Sequence, residues 1–212
     1  PYVAALFVDR RGPYFGRDDV DAWDIERDAR QYAGPFPVVA HPPCERWGRF
    51  WFGGPEWLRR GNPRKVLGDD GGCFAAAMAA VREFGGVLEH PADSHAWRVF
   101  GLVAPPRAGG WVAAGDSLGW TCHVEQGHYG HKAAKATWLY AAHADLPALR
   151  WGSCGKRVPL DGLSPERRAR KRRTGIVQAL SRRQRAATPL AFRDLLLSIA
   201  RTATPGFQSE TP

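Results

Sequence analysis

A cysteine placed directly behind two prolines, Pro42-Pro43-Cys44, is held on a stiff backbone and can face a cleft. Cations nearby, Arg46 and Arg49, or a helix end, would favour its thiolate, the form that attacks an electrophilic carbon. A carboxylate followed by proline, Glu89-His90-Pro91, can hydrogen-bond a heteroaromatic ring or pass it a proton. The segment from Gln126 to Thr137 adds Lys135, so Gln126, Lys135 and Thr137 offer donors for phosphate or ring oxygens. Each has a plainer reading. Cys44 could be an inert buried thiol, and Glu89 could accept backbone bonds at the end of its strand. Their joint placement favours chemistry.

A metal is the weaker reading of the same region. Cys122-His123 with His128 and His131 offers soft and imidazole ligands, but structural zinc takes four ligands from two compact knuckles, and no second one is legible. Cys73, in an alanine-rich stretch, reads as a small core residue, and Cys154 carries no signal.

The elements that must position these residues follow from hydropathy. The apolar run Val3 to Val8 predicts a strand buried on both faces. Further strands are expected at Val20 to Ile25, Pro37 to His41, Val87 to His90, Trp120 to Gln126 and Ala136 to Ala142. Asp69-Asp70 can cap a helix over Cys73 to Phe84, stopped by Gly85-Gly86. Glu45 to Gly68 has weak periodicity and reads as a long active-site loop. This alternation predicts an α/β layered fold with a mostly parallel sheet flanked by helices. Cys44, Glu89 and the Gln126–Thr137 segment then lie just past strand ends, where open α/β sheets place ligands.

Residues 1–152 are expected to form a compact α/β catalytic-type domain, and 153–212 a basic helical segment. A helix start is expected at Ser164-Pro165-Glu166, and Leu190, Phe192, Leu195, Leu196 and Ile199 give an apolar face to a helix over Pro189 to Ala200, packing this appendage on the sheet. Arg167 to Arg185 holds nine Lys/Arg and no acid, including Arg170, Lys171, Arg172 and Arg173, a footprint suited to phosphates. Tryptophans 47, 51 and 57, interleaved with Arg46, Arg49, Arg59 and Arg60, could stack on a base. Trp47 and Arg46 are therefore candidates for nucleic-acid contact.

The 212 residues suffice for one domain with a real core. An aromatic fraction of 11% excludes a disordered chain, and four widely spread cysteines exclude a disulfide scaffold. The net charge of +9 and pI near 9.9 favour a polyanionic partner. No apolar run is long enough for a membrane span and no leader pattern opens the chain, so a cytoplasmic location is expected.

The order Pro42-Pro43-Cys44, Glu89-His90-Pro91 with Ser94, then Gln126, Tyr129-Gly130, Lys135 and Thr137 resembles the carbon-5 cytosine DNA methyltransferases, in particular the short forms carried by bacteriophages and prophages. The late stretch Arg185-Ala186-Ala187-Thr188-Pro189 with Phe192 is similar to the family's closing helix, which folds back to the sheet. The resemblance implies a Rossmann-like, methyltransferase-type sheet and DNA as partner inside a bacterial host cell. It implies that Cys44 attacks carbon 6 of a pyrimidine, that Glu89 holds the ring nitrogen and amino edge, with Lys135 beside them, and that S-adenosylmethionine donates a methyl to carbon 5. A base in duplex DNA would first be flipped from the stack.

Several positions depart from that pattern. Bulky and charged residues from Phe7 to Gly16 replace the close-approach glycines of the cofactor loop, and His90 stands where the family has Asn. The stretch between Asp24 and Cys44 is too short for the usual extra strand and helix. Either S-adenosylmethionine occupies an abbreviated pocket near Asp9, Asp24 and Pro42, with Asp9 or Asp24 on its ribose, or the cofactor is different or lost. Two alternatives follow: an enzyme using the same nucleophile on a free pyrimidine nucleotide, and a catalytically inactive DNA-binding phage accessory protein.

Overall fold

A computed structural model describes residues 2–156 and 180–204. The expected helix start at 164–166 and the basic residues Arg170, Lys171, Arg172 and Arg173 lie outside the described residues.

The apolar opening run forms strand β1 (Val3–Leu6), all four residues fully buried. It is flanked by β2 (Val20–Trp23) and β3 (Val38–Ala40), both parallel to it, and β3 pairs in parallel with β4 (Gly86–Pro91). Beyond β4 the sheet continues through β7 (Ala136–Ala142), β6 (Gly119–Glu125) and β5 (Trp111–Ala113), in the order β2-β1-β3-β4-β7-β6-β5. All three of those later pairings are antiparallel. Strands β1, β2, β3, β4 and β6 thus run one way, with β7 reversed between β4 and β6.

The expected mostly parallel sheet is corrected to a mixed one, mostly antiparallel by paired residues: the β6–β7 and β4–β7 ladders are the longest. The reason is loop length. The connection 126–135 is shorter than the dozen or so residues a parallel crossover needs, so β6 and β7 must fold back on each other.

Helix α2 (Cys73–Phe84) covers one face, burying Phe74, Ala77, Met78 and Val81 over Ala4, Leu6, Val38, Ala40 and Leu88. Asp70 supports its start, accepting from the amides of Gly72 (3.0 Å) and Phe74 (2.9 Å). Cys73 is half-buried at the helix's first position, rather than a core residue, because the first turn lies at the sheet's rim. At the other end, a Cβ on Gly86 would lie 2.0 Å from the Val38 carbonyl, so only glycine lets β4 pair with β3 there.

The opposite face is covered by α5 (Leu190–Arg201), which buries Phe192, Leu196, Leu197 and Ile199 against Val3, Ala5, Val39, Val87 and Leu139. Each such side chain contributes roughly 1.5–3 kcal/mol on burial. Among the described residues this C-terminal helix is the second outer layer of the sheet. Short helices α1 (Gly54–Arg59), α3 (His95–Val99) and α4 (Arg182–Ala186) complete the set. The first two and β5 are too brief to carry a hydropathy period and were not legible in the sequence. No helix among the described residues is long and apolar enough to cross a membrane.

Candidate functional site

Strand order places the chain's topological switch point between β1 and β3, since β1 connects outward to β2 while β3 lies on its other side. Crevices at such points, beyond the carboxyl ends of the strands, are where open α/β sheets bind ligands. A polar chain spans this crevice. The Tyr14 hydroxyl, from the loop after β1, is hydrogen-bonded to His41 Nε2, just past β3, at 2.8 Å. His41 Nδ1 lies 2.9 Å from Glu89 Oε2 on β4. Gln126 Nε2, just past β6, donates to Glu89 Oε1 at 3.0 Å and to Thr137 Oγ1 at 3.0 Å. Thr137 in turn donates to the Lys135 carbonyl. Alternation along the strands puts these side chains on the α5 side, since His41 and Glu89 follow Val39 and Val87 at the two-residue repeat.

Glu89 is buried, and burial alone would raise its pKa. The His41 hydrogen bond, with the Lys135 charge behind it, reverses the sign and brings it down to about 2. The carboxyl is therefore an ionised acceptor at ordinary pH. Tyr14 is pushed the other way, well up, by burial and then by the Glu89 charge, so its hydroxyl stays protonated.

Cys44 sits in a tight turn, its carbonyl accepting from the amides of Trp47 (3.0 Å) and Gly48 (2.9 Å). The residue is exposed, yet protein atoms crowd the sulfur enough that desolvation, and then the Glu89 and Glu45 charges, push the thiol up; its own amide and Lys135 pull it down. The expected activation by Arg46 and Arg49 is corrected to an opposing balance in which, among the described residues, Lys135 is the cation that favours the thiolate. Lys135 has its own pKa lowered by burial, against the attraction of Glu89 and Cys44. These mutual effects place Cys44, Glu89 and Lys135 in one electrostatic neighbourhood.

Backbone strain marks both flanks. Phe7, ending β1, and Lys135, preceding β7, have φ of 59° and 46°, conformations that cost non-glycine residues about 1–3 kcal/mol. Lys135 Nζ donates to the carbonyls of Ala187 (2.9 Å) and Ala186 (3.2 Å), and His131 Nε2 is bonded to the Gln184 carbonyl at 3.0 Å. The segment behind α4 is thereby tied to the loop that carries Lys135.

Several expected site residues have other duties. Trp47 belongs to the core: its ring packs on Phe74 and Phe100 and its indole N–H donates to Asp70 at 2.7 Å, so the loop turns it away from any base. Gln126 and Thr137 are fully buried, and their donors are spent within the site on Glu89, Thr137 and the Lys135 carbonyl, not on phosphate. Pro42 is buried at the end of β3, and Arg46 is half-buried beside it. Asp9 accepts from the Arg11 amide and closes its own turn. Asp24 ends β2 with one oxygen, Oδ1, accepting from the amides of Glu26 and Arg27.

Tyr14 and the role of His41 were missed. His41 is visible in the sequence as a polar residue ending a strand, but its partnership with Glu89 depends on β3 and β4 being neighbours. Tyr14 reads in sequence as an intrusion into a glycine loop; its burial to 2% is the structural sign that it fills the crevice instead. Next to Glu89, His90 points to the other face, between Phe74 and Trp97. Burial brings its pKa down to about 4 and keeps it neutral. Comparison with protein-family models, curated proteins and solved structures finds no match to this chain.

Proposed function

We propose that this protein modifies a pyrimidine in DNA through a covalent bond from Cys44, with methyl transfer to carbon 5 as the reaction. The observation that carries the reading is the shared neighbourhood of the Cys44 thiol, the Glu89 carboxylate and the Lys135 ammonium at the switch point.

The balance of charges suggests how substrate switches the nucleophile on. In the free protein burial, and then the Glu89 charge, hold the thiol up. A pyrimidine ring whose amino edge donates a hydrogen bond to Glu89 lessens that carboxylate's effect and leaves Lys135 to favour the thiolate. The sulfhydryl bond breaks as sulfur bonds carbon 6, the proton passes by way of the carboxylate to the ring nitrogen, and carbon 5 becomes nucleophilic. After substitution at carbon 5, loss of its proton and expulsion of the thiolate restore the aromatic ring. His41 and Gln126, one on each carboxylate oxygen, fix Glu89 in the plane where it meets the ring edge.

S-adenosylmethionine would supply the methyl group. At the carboxyl end of β2, Asp24 Oδ2 makes no hydrogen bond among the described residues and, in a residue only 7% exposed, would accept from ribose hydroxyls at the mouth of the crevice, while Ile25 beside it is 95% exposed and offers an apolar surface to a purine. Asp9, turned into its own loop, is not needed for this.

The reading is tested by incubating the protein with cytosine-containing DNA and methyl-labelled S-adenosylmethionine. Label should reach the DNA, and Cys44→Ser and Glu89→Gln should each abolish transfer. Calorimetric binding of the donor should weaken in Asp24→Asn. A second reading, a catalytically inactive DNA-binding relative, is favoured by the raised thiol pKa and by the Tyr14-filled loop; it predicts DNA binding without transfer.

A further inference from the structure

The chain leaving Cys44 carries an unusual concentration of rings and cations. Between positions 46 and 66 it holds six Lys/Arg against a single carboxylate, Glu56, which is itself paired with Arg59 and Arg60. With Trp47 withdrawn into the core, four aromatic residues remain at the surface: Phe50 is 43% exposed, and Trp51, Phe52 and Trp57 are half-buried. Their faces are backed by charge. The Arg49 guanidinium lies 5.3 Å from the Phe50 ring centre, Arg64 lies 5.2 Å from Phe52 and 5.9 Å from Trp51, and the Lys65 ammonium lies 4.5 Å from Trp57.

The loop is also fixed. The Lys65 amide donates to the Phe52 carbonyl at 3.2 Å and the Gly68 amide to the Arg46 carbonyl at 3.1 Å, closing it at two levels. Trp57 is pinned by its indole N–H on the Pro63 carbonyl at 2.7 Å. Such a surface is preorganised, so little side-chain entropy is lost when a ligand stacks on it.

We infer that this loop binds an unpaired DNA strand, with bases stacking on Phe50, Trp51 and Trp57 and phosphates meeting Arg49, Arg64 and Lys65. The chemistry selects the strand state. A base in a duplex has both faces covered by its neighbours and offers only an edge, whereas an unpaired base offers a face to an aromatic ring and a phosphate to the adjoining cation. The inference deepens the reading of Cys44 given above, because an unpaired strand delivers a pyrimidine to the crevice without the cost of flipping it from a helix.

The test uses the full chain and three probes of one sequence: single-stranded DNA, the same strand as RNA, and duplex DNA. Binding is followed by anisotropy of a labelled strand and by quenching of tryptophan fluorescence. The single DNA strand is expected to bind at least tenfold more tightly than the duplex and to quench fluorescence. Combined Phe50→Ala and Trp57→Ala should weaken it about tenfold or more while the circular dichroism of the folded chain is kept. Arg64→Gln with Lys65→Gln should flatten the salt dependence by roughly 0.7 in logarithmic slope per cation removed. Strand binding and methyl transfer are read separately, so a failure of the covalent chemistry leaves the strand-binding result standing. Equal or tighter binding of duplex or RNA, or loop variants that bind the single strand unchanged, would overturn the inference.

Discussion

His41 Nδ1 lies 2.9 Å from Glu89 Oε2, and this contact holds a buried carboxylate ionised at the end of a strand. It depends on two parallel neighbours, β3 and β4, whose residues Ala40 and Leu88 are in register just before it. Removing the hydrogen-bond partner of a buried carboxylate leaves it undersatisfied, at a cost of about 1–3 kcal/mol and more for a charged group. His41→Ala should therefore destabilise the chain by about 3 kcal/mol in urea unfolding at pH 7 and raise the Glu89 pKa. Glu89→Gln, which keeps hydrogen bonding without the charge, should cost less. A His41→Ala chain as stable as the parent would show that the contact does not hold the site.

His90 and Glu89 should each contribute to the acid limb of stability. His90 is held neutral with a pKa near 4, below its ordinary 6.5, so the unfolded chain takes up its proton first and stability falls as pH drops from 6.5 towards 4. That component is worth roughly 3 kcal/mol and should vanish in His90→Phe, measured relative to its own stability at pH 7.5. Glu89 is shifted from 4.5 to about 2, so its contribution is complete above 4.5 and is lost as pH falls through that window. Denaturant unfolding between pH 2 and 8 resolves the two; a flat profile from 6.5 to 4.5 would contradict the first.

Cys44 reactivity should respond to its neighbours in opposite senses. Glu89 is the chief charge holding the thiol up and Lys135 the cation pulling it down. Alkylation by iodoacetamide at neutral pH should be faster in Glu89→Gln, although that variant loses the ring chemistry, and about threefold slower in Lys135→Gln. The pH at half-maximal alkylation should move down and up respectively. Identical profiles in the two variants would mean the three groups do not share a neighbourhood.

Much of this arrangement was legible in the sequence because it rests on local pattern. The run at Val3 to Leu6, the helix Cys73–Phe84 and the strand Ala136–Ala142 follow from hydropathy and end signals, and the polar residues after Pro42-Pro43 and at Glu89 fall where strands must end. What was not legible depends on which strands lie side by side. Reversal of β7 follows from loop length rather than from composition, and it brings Gln126 and Thr137 onto Glu89 rather than onto phosphate. Trp47 carries the same local signature as Trp51 and Trp57, yet the Asp70 carboxylate, itself fixed by the start of α2, draws it into the core.

That double duty of Asp70 is itself testable. Asp70→Ala removes the acceptor for the Trp47 indole and for two amides at the head of α2. A loss of about 2 kcal/mol is expected in thermal or urea unfolding, with a shift of tryptophan emission. A variant within 0.5 kcal/mol of the parent, with unchanged emission, would show that Trp47 is held by packing alone.

The most direct measurement traps the covalent bond itself. A single-stranded oligonucleotide carrying 5-fluorocytosine is incubated with the protein and methyl donor, and the product is analysed by denaturing electrophoresis and peptide mass spectrometry, since fluorine at carbon 5 blocks the final elimination. The account predicts a stable protein–DNA complex joined through Cys44 that is absent in Cys44→Ser. No complex with intact DNA binding, or one that persists in Cys44→Ser, would contradict it.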